Sequence, residues 1–466
     1  MESWQEIVKW SIAVHVLLIG GGLLMLVLVS GMLRHSRNPA TSAAWLMFMF
    51  ILPYAGIPLY LFFGSRKLAA LHQRKAQLFA GDGGGIPLPE DQVQRYLQAM
   101  GVQPPVAVGR MRLHEHGEEA WRALCGILRS AQRSLDLCVF ILADDAVGRE
   151  VLAILTARAE QGVRVRLLLD GVGSFLLPKR RLKPLLQAGG RVAWFVPVLH
   201  LPLRGRTNLR NHRKLVIADA ERVWAGGRNI AVEYLQSEAR SHWYDLSFDL
   251  SGAAALRYRN LFEADWCFAT HEQAAFVPAV SGPSDAAGAQ LQLVPSGPDM
   301  AQDVLHDLLV TLVAGARESI IAVSPYFVPG DVLQTVLCLA ARRGVKLDLI
   351  LPASSNHRLA DFARNRFLRQ LVEAGAGIWL LPDAMLHAKG MVIDDRYALT
   401  GSANLDLRSL FLNFELMTLM YGRSEIEHLA QWIAGLRARC RRWQPQPAGV
   451  VRETLEGLVL LTSFQL

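Results

Sequence analysis

Cysteine is scarce and unpatterned in this sequence: five residues (Cys125, Cys138, Cys267, Cys338 and Cys440), odd in number and without a C-x-x-C pair. That excludes a disulfide framework and a thiolate zinc site as organising features, and leaves the thiols as small buried apolar groups. Charge is missing altogether from two stretches near the start. Trp10 to Leu33 holds no Asp, Glu, Lys or Arg, and neither does Pro39 to Gly64. Each window is long enough to cross roughly 30 Å of hydrocarbon. The first is too long in its apolar part for a cleaved signal peptide, and a second apolar stretch follows almost at once. Together they are expected to form a transmembrane helical hairpin with helices over 10–33 and 39–64. Arg34 and Arg37 lie between the spans, whereas Lys9, Arg66, Lys67, Arg74 and Lys75 flank the hairpin on the other side. The positive-inside bias then places residues 65 onward in the cytoplasm. His15, alone in the first span, reads as a tolerated polar residue.

A chain of 466 residues exceeds what one hydrophobic core organises, so at least two structural units are expected. Its 49 Lys and Arg against 41 Asp and Glu leave a formal charge of +8, which favours anionic partners without choosing among them. Two segments of about 150 residues can then be laid on each other. In the first, an apolar-periodic stretch near Ala120 to Leu135 leads to Leu137-Cys-Val-Phe-Ile141, a helical Glu150 to Gln161, and Gly162-Val-Arg-Val-Arg-Leu-Leu-Leu169. In the second, Leu305 to Ala314 leads to Ile320-Ile-Ala-Val323, a helical Val332 to Arg343, and Gly344-Val-Lys-Leu-Asp-Leu-Ile-Leu351. Helices alternating with β-rich apolar runs predict βα units on a largely parallel sheet. Two α/β lobes packed as a pseudo-dimer follow.

Each half next carries His-x-Lys and, five residues after the Lys, an Asp: His212, Lys214 and Asp219, then His387, Lys389 and Asp394. Fourteen residues beyond each His begins a small-residue turn, Gly226-Gly-Arg-Asn229 or Gly401-Ser-Ala-Asn404. On a strand, residues i and i+2 share one face, so each His and Lys are expected to point together into one cleft. One such motif is weak evidence; two copies in register, each with its G-x-x-N, are not a coincidence of composition.

At these residues the chain resembles the phospholipase D superfamily, over about residues 110 to 445. Arg37-Asn-Pro-x3-Ala-Ala-Trp45, Tyr60-Leu-Phe-Phe-Gly64, Ser324-Pro-Tyr-Phe-Val-Pro329, Asn404-x-Asp-x-Arg408-Ser and Asn413-x-Glu415 are similar, more narrowly, to bacterial cardiolipin synthases. One departure is Gly227 in the first turn, where synthases with two membrane spans usually carry Ser.

The resemblance implies a phosphohistidine mechanism without metal or other cofactor. A phosphodiester reaction needs a nucleophile, a proton donor for the departing alkoxide, and fixed cations around the phosphoryl oxygens. His212 is expected as nucleophile and His387 as acid and base, with Lys214, Lys389, Asn229, Asn404 and Ser402 on the phosphoryl oxygens. An imidazole also needs its other nitrogen held by a partner. Asp245 and Glu415 lie 33 and 28 residues after the histidines of their own halves and are the candidates. Asp219 and Asp394 are expected to brace a loop rather than touch substrate. The resemblance further implies a phosphatidyltransferase of the bacterial inner membrane, with a phospholipid membrane as partner and no nucleic acid. The expected reaction joins two phosphatidylglycerols into cardiolipin and glycerol; phosphatidylethanolamine as donor, or hydrolysis by water, are the alternatives.

The expected organisation is an anchor over 1–65, a linker over 66–109, lobes over 110–270 and 291–446 joined by 271–290, and an apolar tail over 447–466. Between Pro197 and His212 the first half carries about ten extra residues, among them His200, Arg204, Arg206 and Arg210, which suit a phosphate-binding lip or a solvated loop. Arg437-Ala-Arg-Cys-Arg-Arg-Trp443 and Leu455 to Phe464 suit either a membrane surface or a helix packed on the core.

Overall fold

The computed structural model describes residues 9–11, 15, 20–21, 39–63, 89–197, 209–236, 243–277, 289–298, 300, 302–382 and 384–460. The chain divides into two compact units: the described residues up to 63 belong to one and those from 89 onward to the other.

In the first unit, helices α1 (Pro39–Ile51) and α2 (Pro53–Phe63) replace the single helix expected over 39–64. Pro53 is the cause: it has no N–H to continue the ladder of α1, but its fixed φ suits the first turn of a new helix. The chain doubles back there. Met49 is buried against Gly56, where a Cβ would lie 2.7 Å from Met49 Cα, and the rings of Trp45 and Tyr60 meet at 5.5 Å. Among the described residues no helix is long and apolar enough to cross a membrane, and most of the expected span over 10–33 lies outside them.

The second unit holds two lobes built to one plan. The first contains strands β1 (Arg110–His114), β2 (Ser134–Val139), β3 (Arg164–Asp170), β4 (Arg191–Phe195), β5 (Leu215–Ala218), β6 (Arg222–Gly226) and β7 (Ser247–Ser251). The second contains β8 (Gln290–Ser296), β9 (Ser319–Val323), β10 (Lys346–Pro352), β11 (Gly377–Leu381), β12 (Gly390–Ile393), β13 (Tyr397–Gly401) and β14 (Glu415–Met420). Strand order is β1-β7-β6-β5-β2-β3-β4 in one sheet and β8-β14-β13-β12-β9-β10-β11 in the other, where Val106–Ala107 and Arg441–Arg442 extend the two edges. The sheets are mixed rather than largely parallel. Only β2-β3-β4 and β9-β10-β11 run parallel; the rest pair antiparallel. The reason is local, because Asp219 and Ala220, like Asp394 and Asp395, adopt positive φ in tight turns that are too short for a crossover helix.

Sequence periodicity shows why the helices sit where they do. Helix α3 (Gly117–Ser130) buries Ala120, Leu124, Ile127 and Leu128 along one face, with Glu118 and Glu119 at its positive end and Arg129 at its negative end. Helix α4 (Ala146–Glu160) is capped by Asp145, whose carboxylate accepts from Gly148 N at 2.8 Å. Just past it Gly162 takes φ 86°, as Gly344 takes φ 90° after the corresponding helix of the second lobe. These helices pack with the first sheet around Leu137, Leu155 and Leu167.

Another cluster joins the lobes. It includes Phe195, Phe248, Tyr258 and Trp266 from the first and Val323, Ile350, Phe414 and Leu429 from the second, drawn from both sheets and from helices α5 (Ala254–Thr270) and α9 (Arg423–Ala438, counting α6 Val304–Gly315, α7 Asp331–Arg342 and α8 Arg358–Glu373 between). The C-terminal helix α10 (Val450–Leu460) docks on α8 through buried Glu456, which accepts from Arg369 and Arg452 at 3.2 Å. Residues 461–466 of the apolar tail lie outside the described residues, as does most of the 271–290 connection.

Candidate active site

The site forms at the carboxyl ends of the parallel strands, where β5 and β12 begin. His212 and Lys214 occupy an extended lead-in just before β5, and His387 and Lys389 the same place before β12, rather than the strands themselves. Each lead-in is stitched to the opposite lobe. His212 N donates to Phe414 O at 2.9 Å, and Phe414 N donates to Arg210 O at 2.8 Å. Reciprocally, Met385–Leu386 pairs in parallel with Trp243–Tyr244, and His387 N donates to Tyr244 O at 2.7 Å.

This exchange sets the side chains. Phe414 precedes Glu415, whose carboxylate oxygens lie 2.9 and 3.0 Å from His212 Nδ1. Tyr244 precedes Asp245, which lies 2.6 Å from His387 Nδ1. Each acid therefore serves the histidine of the other lobe, a correction to the expectation from sequence distance. Lys389 Nζ also lies 2.7 Å from His387 Nδ1. A single nitrogen cannot both donate to the carboxylate and accept from the ammonium; with Asp245 ionised the Nδ1–H tautomer prevails and Nε2, 3.2 Å from Lys389 Nζ, is left as the acceptor.

The neighbours are as specific as the acids. Phe140 meets the His212 ring edge-on at 4.7 Å, and Tyr234 and Trp243 lie 5.1 and 5.4 Å from the His387 ring. Lys214 Nζ donates to His212 O at 2.7 Å and stands 5.2 Å from the Phe140 ring centre; Lys389 Nζ donates to His387 O. Both lysines and both histidines are buried.

Burial therefore dominates the electrostatics. It pushes His212 down to about 4, with Glu415 opposing and Lys214 and Lys389 adding to the fall. It pushes His387 down to about 3, helped by Lys389 and Lys214 and opposed by Asp245. Lys214 falls to about 7 and Lys389 to about 8 for the same first cause. Glu415 and Asp245 are also driven up by burial, but the cationic groups beside them outweigh it and hold both below the usual carboxylate range. Lys389 acts on His212 and Lys214 on His387, so the two halves share one electrostatic site.

The G-x-x-N turns contribute differently from expectation. Ser402 Oγ donates to Glu415 at 2.5 Å and accepts from Leu416 N at 3.0 Å, so it fixes the acid. In the first lobe a Cβ on Gly227 would lie 2.2 Å from Asp245 Oδ1. That contact accounts for glycine where serine is usual: Asp245 already fills the space. Asn229 accepts from Ile141 N at 3.3 Å and bonds Tyr234, which makes it part of the frame. Asn404 donates from its amide to Asp406 and leaves Oδ1, an acceptor, buried without a partner among the described residues.

Asp219 and Asp394 stand outside the cluster. Asp219 accepts from Gln132, Arg133 and Ser134 N at 2.6–2.9 Å, and Asp394 from Arg317, Glu318 and Ser319 N at 2.7–2.9 Å. Of the basic lip, His200, Arg204 and Arg206 lie outside the described residues, while Arg210 is buried and donates to Val196 O at 2.9 Å. One residue that sequence reading passed over is Arg213. Fully buried, it donates from Nη1 to both carboxylate oxygens of Asp265 at 2.7 Å, and also to Glu415 O at 3.0 Å and Ser296 O at 3.2 Å, tying three segments to the His-Lys lead-in. A charged residue between His and Lys of the motif was the available signal. Among the described residues no group of three or more His, Cys, Asp or Glu is placed to hold a metal ion.

Comparison with known proteins agrees with this architecture. The family described as cardiolipin synthase, PLD-like domain, matches residues 124–266 and 309–437, and a phospholipase D-nuclease N-terminal family matches 23–65. Cardiolipin synthase A of Pseudomonas aeruginosa is 33% identical over 401 residues, covering 82% of this chain and 81% of that protein. Cardiolipin synthase 1 of Bacillus anthracis is 31% identical over 418 residues, covering 84% and 82%. Phosphatidylserine synthase of Haemophilus influenzae shares the fold, with a TM-score of 0.62 over 81% of this chain and all of that one, at 15% identity. With its repeated lobe, its twin His-Lys lead-ins and these relatives, the chain belongs to the cardiolipin synthase family of phospholipase D-like proteins.

Proposed function

We propose that the protein transfers a phosphatidyl group from one phosphatidylglycerol to another, giving cardiolipin and glycerol. The observation that carries this reading is the reciprocal pairing of His212 with Glu415 and His387 with Asp245 around two buried lysines. His212 Nε2 attacks the donor phosphorus and the bond to the glycerol headgroup oxygen breaks, while His387 gives that oxygen its proton. The same imidazole then takes the proton of the acceptor's glycerol hydroxyl, whose oxygen attacks phosphorus as the P–N bond breaks. Burial leaves both imidazoles neutral in the free enzyme, which suits the nucleophile. The proton donor gains its proton with the anionic substrate, whose charge favours imidazolium and ammonium alike. Lys214, Lys389 and Asn404 then surround the phosphoryl oxygens.

Lipid as substrate is supported at the surface beside the site. The loop leaving β3 exposes Val172, Phe175 and Leu176, and is followed by exposed Lys179, Arg180 and Lys183. An apolar tip with a basic collar suits an anionic bilayer surface rather than a nucleic acid groove. The apolar segments before residue 65 anchor the chain in the bacterial inner membrane, with the catalytic unit on the cytoplasmic face, where the basic residues from Arg66 to Lys75 belong.

The test is incubation of detergent-purified protein with labelled phosphatidylglycerol, with and without phosphatidylethanolamine, followed by lipid mass spectrometry. Cardiolipin and free glycerol from phosphatidylglycerol alone are expected. Predominant phosphatidic acid with acceptor abundant identifies a hydrolase, and cardiolipin formed only when phosphatidylethanolamine is present identifies the other donor.

A further inference from the structure

We infer that α1 and α2 form a re-entrant hairpin, which dips into one leaflet of the bilayer and returns to the side it entered from. The inference rests on the anchoring proposed above and changes its topology: the N-terminal segment crosses the membrane once, not twice.

The geometry is that of a closed hairpin. Trp45 meets Tyr60, and Met49 meets Gly56, two pairs that are both centred on the Leu52–Pro53 bond. In one continuous helix Trp45 and Tyr60 would be about 22 Å apart along the axis; their rings are 5.5 Å apart. Glycine at 56 is required, since any side chain there would enter the backbone of Met49.

Length and hydrogen bonding fit one leaflet. The arms have 13 and 11 residues. They therefore reach about 20 and 17 Å, short of the roughly 30 Å hydrocarbon core. At the turn Leu52 N donates to Phe48 O, and Ala55 N and Gly56 N both donate to Leu52 O, while Pro53 has no N–H to satisfy. The tip is apolar and uncovered: Phe50 is 80% exposed, Ile51 66% and Leu52 53%. A charge-free segment from Pro39 to Gly64 with such a tip commits the occupant to hydrocarbon.

Charge provides an independent argument. Two crossings would leave Arg34 and Arg37 on the outer face, opposite Lys9, Arg66, Lys67, Arg74 and Lys75. Re-entry gathers Arg34, Arg37, Arg66, Lys67, Arg74 and Lys75 on one face and leaves only Lys9, beside Glu2 and Glu6, on the other. That is the steeper positive-inside bias.

The experiment uses the full chain expressed in a Gram-negative host, with partly exposed Cys267 and Cys440 replaced by serine. Ser36→Cys and Ser65→Cys are introduced singly at the two ends of the hairpin and probed with a membrane-impermeant maleimide. Re-entry predicts that both label in inverted inner-membrane vesicles and neither labels in intact spheroplasts. Labelling from opposite sides would mean that the segment crosses, and overturns the inference while leaving the anchoring intact. Release of the protein from membranes by alkaline carbonate would instead sink the anchoring, and the hairpin's placement with it.

Discussion

Glu415 of the second lobe holds Nδ1 of His212 of the first at 2.9 Å, and neither residue has this partner within its own half. Asp245 does the same for His387. Replacing either acid by its amide keeps the volume but removes the charge that fixes the tautomer and steadies an imidazolium. Glu415→Gln and Asp245→Asn are expected to lower kcat by about 10²–10⁴ with little change in KM. Steady-state kinetics on mixed micelles, with circular dichroism as a check of folding, decide it; a loss confined to KM would argue against the orienting role.

His212→Ala and His387→Ala should each abolish turnover, because nucleophile and proton carrier act as a unit. They differ in what they trap. With labelled phosphatidylglycerol the His387 variant retains the proposed nucleophile, so peptide mass spectrometry should find the phosphatidyl adduct on the peptide containing His212. An adduct on the other histidine, in the reciprocal variant, reverses the assignment.

The lysines give the pH dependence. In the proposed mechanism each binds phosphate as an ammonium, and burial has brought Lys214 to about 7 and Lys389 to about 8 in the free enzyme. The competent form is thus populated below these values and lost as pH rises through them. We expect kcat/KM to fall between pH 7 and 8.5, and kcat to persist to higher pH because bound phosphate retains the protons. A kcat/KM that stays level to pH 9.5 would contradict this.

Gly227→Ser would drive a side chain to 2.2 Å from the Asp245 carboxylate. Overpacking of this kind costs about 1–3 kcal/mol. A lowered Tm and a fall in activity are expected together; unchanged values would show that Asp245 can move aside without loss.

Phe175 and Leu176 are 66% and 87% exposed beside the site. If they seat in lipid, Phe175→Asp with Leu176→Asp removes about 3 kcal/mol of burial or more. Turnover of vesicle-borne phosphatidylglycerol should fall at least about tenfold, and that of a dispersed short-chain analogue should not. Equal losses on both would assign the loop to the catalytic frame.

Much of this site was legible before any coordinates. The 175-residue offset between His212 and His387, repeated at Lys and Asp, defined two lobes and their shared chemistry, since a strand lead-in tolerates little variation in spacing. What sequence could not carry was which lobe each acid faces. Asp245 and Glu415 follow their own histidines at 33 and 28 residues, and separation along the chain says nothing of an exchange made by Phe414 and Tyr244 across the lobe boundary. Ser402 is a related case: its hydroxyl is expected on phosphate from the sequence, and the buried carboxylate of Glu415 takes its hydrogen bond. The antiparallel half of each sheet and the doubled helix over 39–63 did have signals, in the two-residue positive-φ turns and in Pro53 with Gly56. Hydropathy outweighed them, because an uncharged window long enough to span says nothing of whether it bends.

The exchange between lobes also orders events during synthesis. When the ribosome has finished the first lobe, His212 and Lys214 exist, but the carbonyl of Phe414 that positions His212 and the carboxylate that orients it have yet to be made. The second histidine waits on the first lobe in the opposite sense, since Tyr244 and Asp245 are already in place to receive it. A nascent chain therefore carries no working half-site beside the lipids it will act on. By the proposed mechanism chemistry begins only when residue 415 has emerged and closed the pair, and a chain truncated earlier is expected to be inert rather than a stray lipase.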